Sequence, residues 1–435
     1  MFSLKEKVLR KITRRTIKKI LTDSEILTLN NSFPDLKNIN LTELGLYLHV
    51  PFCRRPCLYC PYFKETFEEK KAVDYKNAVL KEIDYYEKLL KNKKINSFYI
   101  GGGTPTTMID NGLEDIIKSI KKSYHINCKI SSEAHPNDIT PKMIEKLHNL
   151  DIKNVSMGIE SFDDTFLKII DRPYKSQKAK NSTKLLTDSN FECINIDIMF
   201  GLPNQKVENV KEDIKTALSL GVDQISAYPI FTFPHTKLNQ RIKECNAHLP
   251  GILERRKMLK EIEKICYDAG LKRTSVWAFT KEDKTKYSSV TIPHYIGLGA
   301  GAGSLIPGYF YLNTFSIKEY VNWINNQSKP PVALTIDFSQ KEEMIHWLYW
   351  RIYETKIYKK DFYQQFKKDF DKEFGKLFSI LEFLGLCKNY EEKIIMTDKG
   401  NYWIHVLQNV FSLDFIGNVW SKCLSDTWPD KLELI

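Results

Sequence analysis

The stretch "HVPFCRRPCLYCPYF", His49 to Phe63, sets Cys53, Cys57 and Cys60 in a C-x3-C-x2-C pattern. Three thiols at this spacing can hold a soft metal. A structural zinc ion takes four ligands, commonly from two paired knuckles, and the chain has no second C-x2-C or H-x3-H partner. Thiolates also select iron–sulfur clusters. Three thiolates on a four-iron cubane leave one iron without a protein ligand. An open metal position is where a substrate or cofactor binds, so the missing fourth ligand reads as functional.

Other residues able to do chemistry fall in loops that short apolar runs must position. Candidate strands are "LGLYLHV" (44–50), "INSFYI" (95–100), "CKISSEA" (128–134), "KNVSMG" (153–158), "CINIDIMF" (193–200) and "QISAYPI" (224–230). Between them lie segments with apolar residues three and four apart, such as "AVDYKNAVLKEIDYYEKLL" (72–90). This alternation predicts βαβ units around a parallel sheet. Six units fall short of a full eight-unit barrel, so a partial (β/α)6 barrel is expected. In such folds the chemistry gathers at the carboxyl ends of the strands. The cysteine loop follows the first strand and "GGGTP" (101–105) the second. Glu133 ends the third, Glu160 follows the fourth, Asp197 lies in the fifth, and "YPIFTFPHT" (228–236) follows the sixth. One site built from six strand ends accounts for all of them.

Composition sets the outer bounds. With 435 residues, 42% hydrophobic and 27% charged, the chain has material for a large core and a second module. Residues 1–43 are expected to form a basic helical extension, with Phe2, Leu4, Val8, Leu9, Ile12, Ile17, Ile20 and Leu21 partly on one stripe. The barrel is expected over 44–240, and an extension completing the site over 241–330. After the linker "QSKPP", a helix-rich, winged-helix-like module is expected over 335–435, with Trp347, Trp350 and Tyr353 as packing residues. The net charge of +11 comes mostly from dispersed lysines, so no nucleic-acid partner is expected. No apolar run approaches the ~20 residues of a transmembrane helix. The basic start lacks the apolar stretch of a secretory leader. An odd count of nine cysteines, six scattered singly, argues against a disulfide scaffold and for a reducing, cytoplasmic setting.

The motif resembles that of radical S-adenosylmethionine (SAM) enzymes. "LYLHVPFCRRPCLYC", "GGGTPT", "NVSMGIESF", "NIDIMFGLP" and "IGLGAGAGS" narrow the resemblance to the oxygen-independent coproporphyrinogen III oxidase-like (HemN/HemW-like) family, over roughly Gly45 to Tyr320. The resemblance implies a [4Fe–4S] cluster on Cys53, Cys57 and Cys60, with SAM chelating the open iron. Reductive cleavage of SAM then yields methionine and a 5′-deoxyadenosyl radical that abstracts hydrogen from substrate. By the same resemblance Tyr47 and His49 are the candidate catalytic residues, and Tyr47 and Tyr59 flank SAM. Gly101, Gly102 and Gly103 approach its methionine part, and Glu133 takes its ammonium or ribose. Members can bind a second SAM; the matching positions are Tyr59, Gly103, Thr104, Glu160, Arg172, Asp197 and Phe231, with Arg172 offering a bidentate fork to a carboxylate. Gly303 would admit a nucleoside. A flavodoxin- or ferredoxin-type electron donor and a monomeric state complete the implied picture.

Three departures separate the chain from the oxidase. Tyr62 stands where the oxidase has a further cysteine, Glu160 stands where it has glutamine, and 22–43 does not resemble its N-terminal segment. Three functions therefore remain open at this point. One is a radical SAM enzyme acting on a tetrapyrrole or similar conjugated small molecule. Another is a methyltransferase using two SAM molecules. The third is a haem-binding chaperone, for which His49, His235 and His294 are the axial-ligand candidates.

Overall fold

The computed structural model describes residues 27–36, 41–233, 235–244, 247–284, 292–327 and 329–434. Six parallel strands lie side by side in chain order: β1 (Glu43–Val50), β2 (Lys94–Gly102), β3 (Ile130–Ala134), β4 (Ile152–Glu160), β5 (Cys193–Phe200) and β6 (Gln224–Pro229). The crossovers run through helices α1 (Glu69–Leu90), α2 (Leu113–Ser123), α3 (Pro141–Asn149), α4 (Ser176–Thr187) and α5 (Val207–Ser219). A sixth helix, α6 (Ile252–Asp268), follows β6 and packs beside α5. The expected (β/α)6 arrangement is present, and α6 carries it past residue 240.

The strands read two faces at once. In β1, Leu44, Leu46, Leu48 and Val50 are buried under the helices. At ~1.5–3 kcal/mol for each fully buried aliphatic side chain, this layer supplies much of the driving force for docking the helices. The alternate positions turn inward and are polar or aromatic: Tyr47 and His49 on β1, Tyr99 on β2, Glu133 on β3, Ser156 and Glu160 on β4, Asp197 on β5, Tyr228 on β6. Low in the sheet these inward groups satisfy one another. Asn195 donates to Ser156 at 2.7 Å and accepts from Gln224 at 3.1 Å and Ser226 at 2.8 Å.

The sheet stays open among the described residues. Beyond β6 it continues as an antiparallel hairpin, Lys272–Arg273 with Ala278–Thr280. On its other side β1 pairs in parallel with β7 (Tyr295–Leu298). The antiparallel strands β8 (Gly303–Ile306), β9 (Tyr309–Asn313) and β10 (Val332–Asp337) follow. Leu27–Asn30 corrects the expected helical extension: it is a strand between β10 and the C-terminal strand Lys431–Leu434. Its alternation places Leu29 in the core, where a helix would have broken the sheet edge. The stripe over residues 2–21 lies outside the described residues.

The C-terminal module has a winged-helix order. Helix α7 (Gln340–Tyr353), strand Lys356–Tyr358, helix Lys359–Phe366 and helix α8 (Phe370–Phe383) precede a hairpin, Cys387–Asn389 with Lys393–Met396, and the long helix α9 (Asp398–Ser425). Trp347 belongs to its separate core with Phe362, Phe366 and Phe378. The scattered Cys193, Cys266, Cys387 and Cys423 are buried, Cys128 is half-buried, and Cys245 lies outside the described residues.

One buried acid ties the extension to the barrel. Glu82 of α1 accepts from Gly299 N at 2.7 Å, Asn313 Nδ2 at 2.9 Å and Tyr320 OH at 2.6 Å. Gly299 takes a left-handed φ of 102° there, with Tyr75 OH close behind it. Burial pushes the Glu82 carboxyl up to about 7, although all three donors pull it down. Because its folded value exceeds the unfolded one, its ionisation opposes folding, and stability falls as pH rises from about 4.5 to 7. Glu82→Gln puts an amide NH2 against a donor and is expected to cost about 1–3 kcal/mol in urea denaturation. The same variant should lose the pH 4.5–7 component of the stability profile.

Candidate functional site

The cysteine loop is built by a clasp. Phe52–Cys53 pairs in parallel with Glu65–Thr66, and Phe52 sits edge-on to Phe67 and Tyr75. Lys64 Nζ donates to the carbonyls of Cys60 at 2.8 Å and Tyr62 at 2.9 Å, closing the loop from inside. The glycine turn lies against it. Gly103 N donates to Val50 O and Thr104 N to Phe52 O, both at 2.7 Å. A Cβ on Gly103 would stand 2.6 Å from Phe52 O, so only glycine permits this approach. Thr104 Oγ1 meets Cys53 Sγ at 3.5 Å.

Among the described residues no three His, Cys, Asp or Glu side chains converge as ligands of a single ion would. Burial pushes the Cys53 thiol up to about 12 and raises that of Cys60. Thiols that do not ionise by themselves give up their protons when a metal supplies the charge. The donor set, three thiols and no fourth ligand, fits a cluster with one open iron.

Tyr47 and His49 form a pair. Tyr47 OH lies 2.8 Å from His49 Nδ1, and His49 Nε2 lies 3.1 Å from Phe63 O. A carbonyl only accepts, so Nε2 carries the proton and Nδ1 accepts from Tyr47. Burial lowers the His49 pKa to about 4, which keeps the ring neutral. Its ring lies under Gly102, whose φ is +110°.

Four charged groups surround the cavity floor. Glu133 accepts from Tyr99 OH at 2.6 Å and Gly102 N at 3.2 Å. Glu160, at a left-handed φ of 69°, accepts from Tyr59 OH at 2.8 Å and Tyr228 OH at 2.9 Å. Asp197 accepts from Asn195 Nδ2 at 2.9 Å. Burial raises all three carboxyls, Asp197 most clearly, with Glu160 adding repulsion. Arg172 is the facing cation. Its Nη1 meets Cys57 Sγ at 2.9 Å and Tyr59 OH at 3.2 Å, its Nε meets Tyr174 OH at 2.7 Å, and its Nη2 bonds Gly158 O.

Most of the sequence-derived candidates line one cavity of about 1120 Å³: the three cysteines, Tyr47, His49, Tyr59, Gly102, Gly103, Thr104, Glu133, Glu160, Arg172, Asp197, Phe231 and Gly303, but not Gly101. Tyr62 lines it as well, and it is 50% exposed. Residues not singled out from the sequence complete the floor. Tyr99, Tyr174 and Tyr228 orient its charged groups, and their inward position on alternating strands or beside Arg172 was the available signal.

The roof comes from the C-terminal module. Tyr349, Trp350 and Tyr353 of α7 and His405 of α9 face the cavity, with Trp277 beside them. Trp350 and Tyr353 therefore line the cavity as well as packing. Of the three histidines proposed as axial ligands, only His49 reaches the cavity, and both its nitrogens are engaged. His294 lies in a side pocket 3.4 Å from Gln365, and the half-buried His235 contacts Pro61 O at 3.3 Å. His135, His346 and His405 are the other cavity histidines among the described residues. His346 accepts from Trp350 at 3.2 Å and His405 from Trp277 at 3.3 Å. No described helix is long and apolar enough to cross a membrane.

Comparison with known proteins agrees with this geometry. Residues 47–217 match the family model described as the radical SAM superfamily. The chain is 26% identical to the heme chaperone HemW of Bacillus subtilis, over 81% of this chain and 95% of that protein. It is 30% identical to the heme chaperone HemW of Buchnera aphidicola from Acyrthosiphon pisum, over 60% of this chain and 70% of that protein. The solved coproporphyrinogen III oxidase (HemN) of Escherichia coli has a similar fold, with a TM-score of 0.75 and 21% identity over 88% of this chain and 94% of that one.

Two measurements check the floor. Gly102→Ala forces a Cβ within 2.6 Å of the His49 ring at a φ that L-residues avoid. It is expected to cost about 1–3 kcal/mol and to weaken SAM binding by calorimetry at least tenfold. The His49 imidazole resonances should stay flat in NMR from pH 8 to about 5. Its folded pKa is depressed, so its contribution to stability is present above 6.5 and lost as pH falls toward 4.

Proposed function

We propose, for a chain that belongs to the HemN/HemW-like family of the radical SAM superfamily, that it is an enzyme cleaving SAM reductively to act on a tetrapyrrole or similar conjugated small molecule. The family's cofactors are a [4Fe–4S] cluster and SAM. When bound, they supply a one-electron reductant and a primary carbon radical that abstracts hydrogen.

The carrying observation is that three thiols, a glycine turn and a set of buried acids open on one cavity beneath an aromatic roof. At about 1120 Å³ it exceeds the ~300–1,000 Å³ of a typical single-ligand site. That leaves space for a flat second ligand beside SAM.

In this reading Cys53, Cys57 and Cys60 hold the cluster. Gly102, Gly103 and Thr104 bring backbone to the methionine part of SAM. Glu133 keeps lone pairs free beyond Tyr99 and Gly102 and accepts from its ammonium or ribose. Tyr47 presents its ring to the cavity with its hydroxyl fixed by His49, so His49 acts through Tyr47. Trp350, Tyr349 and Tyr353 offer flat apolar surface to the substrate, while Glu160, Asp197 and Arg172 hold its polar edge or a second SAM. The reading implies a monomer in the cytoplasm, reduced by a flavodoxin- or ferredoxin-type protein.

A haem chaperone of the same fold is the second reading. The names of the relatives favour it, and the cavity histidine His346 is its axial-ligand candidate, since His405, like His49, has both ring nitrogens engaged. Methyl transfer with two SAM molecules is the third reading, resting on Glu160, Arg172 and Asp197.

Anaerobic reconstitution, reduction with dithionite and incubation with SAM and candidate tetrapyrroles separate the three. 5′-Deoxyadenosine formed in step with substrate loss is the expected result. S-adenosylhomocysteine instead would point to methyl transfer. Haem bound tightly, with no SAM cleavage under any substrate, would replace the enzyme reading with the chaperone. Cys57→Ala is expected to lose the cluster's absorption near the visible range together with all SAM cleavage, and a wild-type spectrum would refute the ligand assignment.

A further inference from the structure

Arg172 is placed differently from a simple carboxylate clamp. A guanidinium carries five N–H donors. Its Nε donates to Tyr174 OH, its Nη1 serves Cys57 Sγ and Tyr59 OH, and its Nη2 bonds Gly158 O. One N–H remains. A bidentate grip on a carboxylate needs two N–H groups along one edge, and each edge that includes the remaining one already has a committed partner. Tyr174 fixes the guanidinium further, with its ring centroid 5.0 Å away and its hydroxyl donating to Ile159 O at 2.8 Å. The cation is locked in place against a cysteine sulfur.

Through Tyr59 it is also linked to an acid. Tyr59 OH accepts from Arg172 Nη1 at 3.2 Å and donates to Glu160 Oε1 at 2.8 Å. Tyr228 holds the other oxygen at 2.9 Å. A continuous line runs from Glu160 on the cavity floor to the sulfur of Cys57.

We propose that this line sets the reduction potential of the cluster: Arg172 raises it through the Cys57 sulfur, and Glu160 opposes it through Tyr59. The inference rests on the cluster-binding reading above. Reduction adds one electron and no proton, so the reduced cluster carries one more negative charge. A fixed cation donating to a ligand sulfur stabilises that charge, and a nearby carboxylate destabilises it. The site is half-buried or buried throughout, so the opposing fields are weakly screened. A cationic ligand seated at Glu160 would cancel the acid's field, making the cluster easier to reduce once the cavity is filled.

The test is a redox titration of the reconstituted full-length chain with dithionite and mediators, followed by electron paramagnetic resonance. Arg172→Gln should lower the midpoint so that the reduced-to-oxidised ratio at fixed potential falls about tenfold, which is 59 mV for a one-electron couple. Glu160→Gln should shift it upward. In a Tyr59→Phe background the Glu160→Gln shift should shrink. Unchanged midpoints in Arg172→Gln and Glu160→Gln overturn the proposal. If Arg172→Gln takes up no cluster, Glu160→Gln decides alone, because a midpoint that does not rise is sufficient to reject it. A wild-type chain that takes up no cluster overturns the functional reading itself, which a loaded cluster with unmoved potential does not.

Discussion

The parallel register of six adjacent strands is the constraint on which the site depends. Parallel strands put every carboxyl end on one side of the sheet, and the crossover helices leave that end free. His49 stands beside Gly101, and Val50 beside Gly102. Gly158 stands beside Asp197, and Asp197 beside Ser226. A one-residue slip in β1 would turn Tyr47 and His49 into the helix layer and bring Leu46 and Leu48 to the cavity. The buried aliphatic face forbids that slip, so packing far from the chemistry fixes which side chains can reach it.

Charge is the second constraint, and it follows from the first. The inward positions collect Glu133, Glu160 and Asp197, and Arg172 faces two of them, Glu160 and Asp197. Burial raises each carboxyl, so the floor resists full ionisation. A ligand bearing positive charge relieves that resistance. The sulfonium and ammonium of SAM have that character, and a plain anion does not. In the functional reading proposed above, acid side chains that are costly to ionise when buried become favourable partners of such a ligand.

Much of this was legible in the sequence. The six strands were readable because their outer faces are mostly apolar, as with Leu44, Leu46 and Leu48 or Ile194, Ile196 and Ile198, and the chemical residues were readable because they sit within or just beyond those runs. The roles of several were not. His49 looked available as a ligand, but its two nitrogens are committed to Tyr47 and Phe63, partners set by the loop's return path. Arg172 looked like a carboxylate fork. Its commitments come from Tyr174, Cys57 and Gly158, and the contact with Cys57 spans 115 positions along the chain. Leu27–Asn30 has too short a pattern to reveal that its partners lie at Lys431–Leu434. Long-range pairing of this kind leaves no local periodicity to read.

The roof shows how one fold can change its substrate. The barrel floor is closely packed backbone, as at Gly103 against Phe52, and has little freedom to vary. The roof is carried by α7 and α9: Trp347 and Ile404 belong to the module's own core with Phe362 and Phe378, while Tyr402, Val419 and Cys423 of α9 belong to the barrel core. Trp350 faces the cavity from this module, while Tyr353 also packs against the barrel core. Tyr62 lies on the cysteine loop itself, half exposed and facing the same cavity. It joins the two halves: an aromatic ring, not a further thiol, stands next to the cluster loop and meets whatever the roof admits. In the enzyme reading proposed above, reaction type is set by the floor, and substrate choice is left to the ring at 62 and the aromatic helices above it.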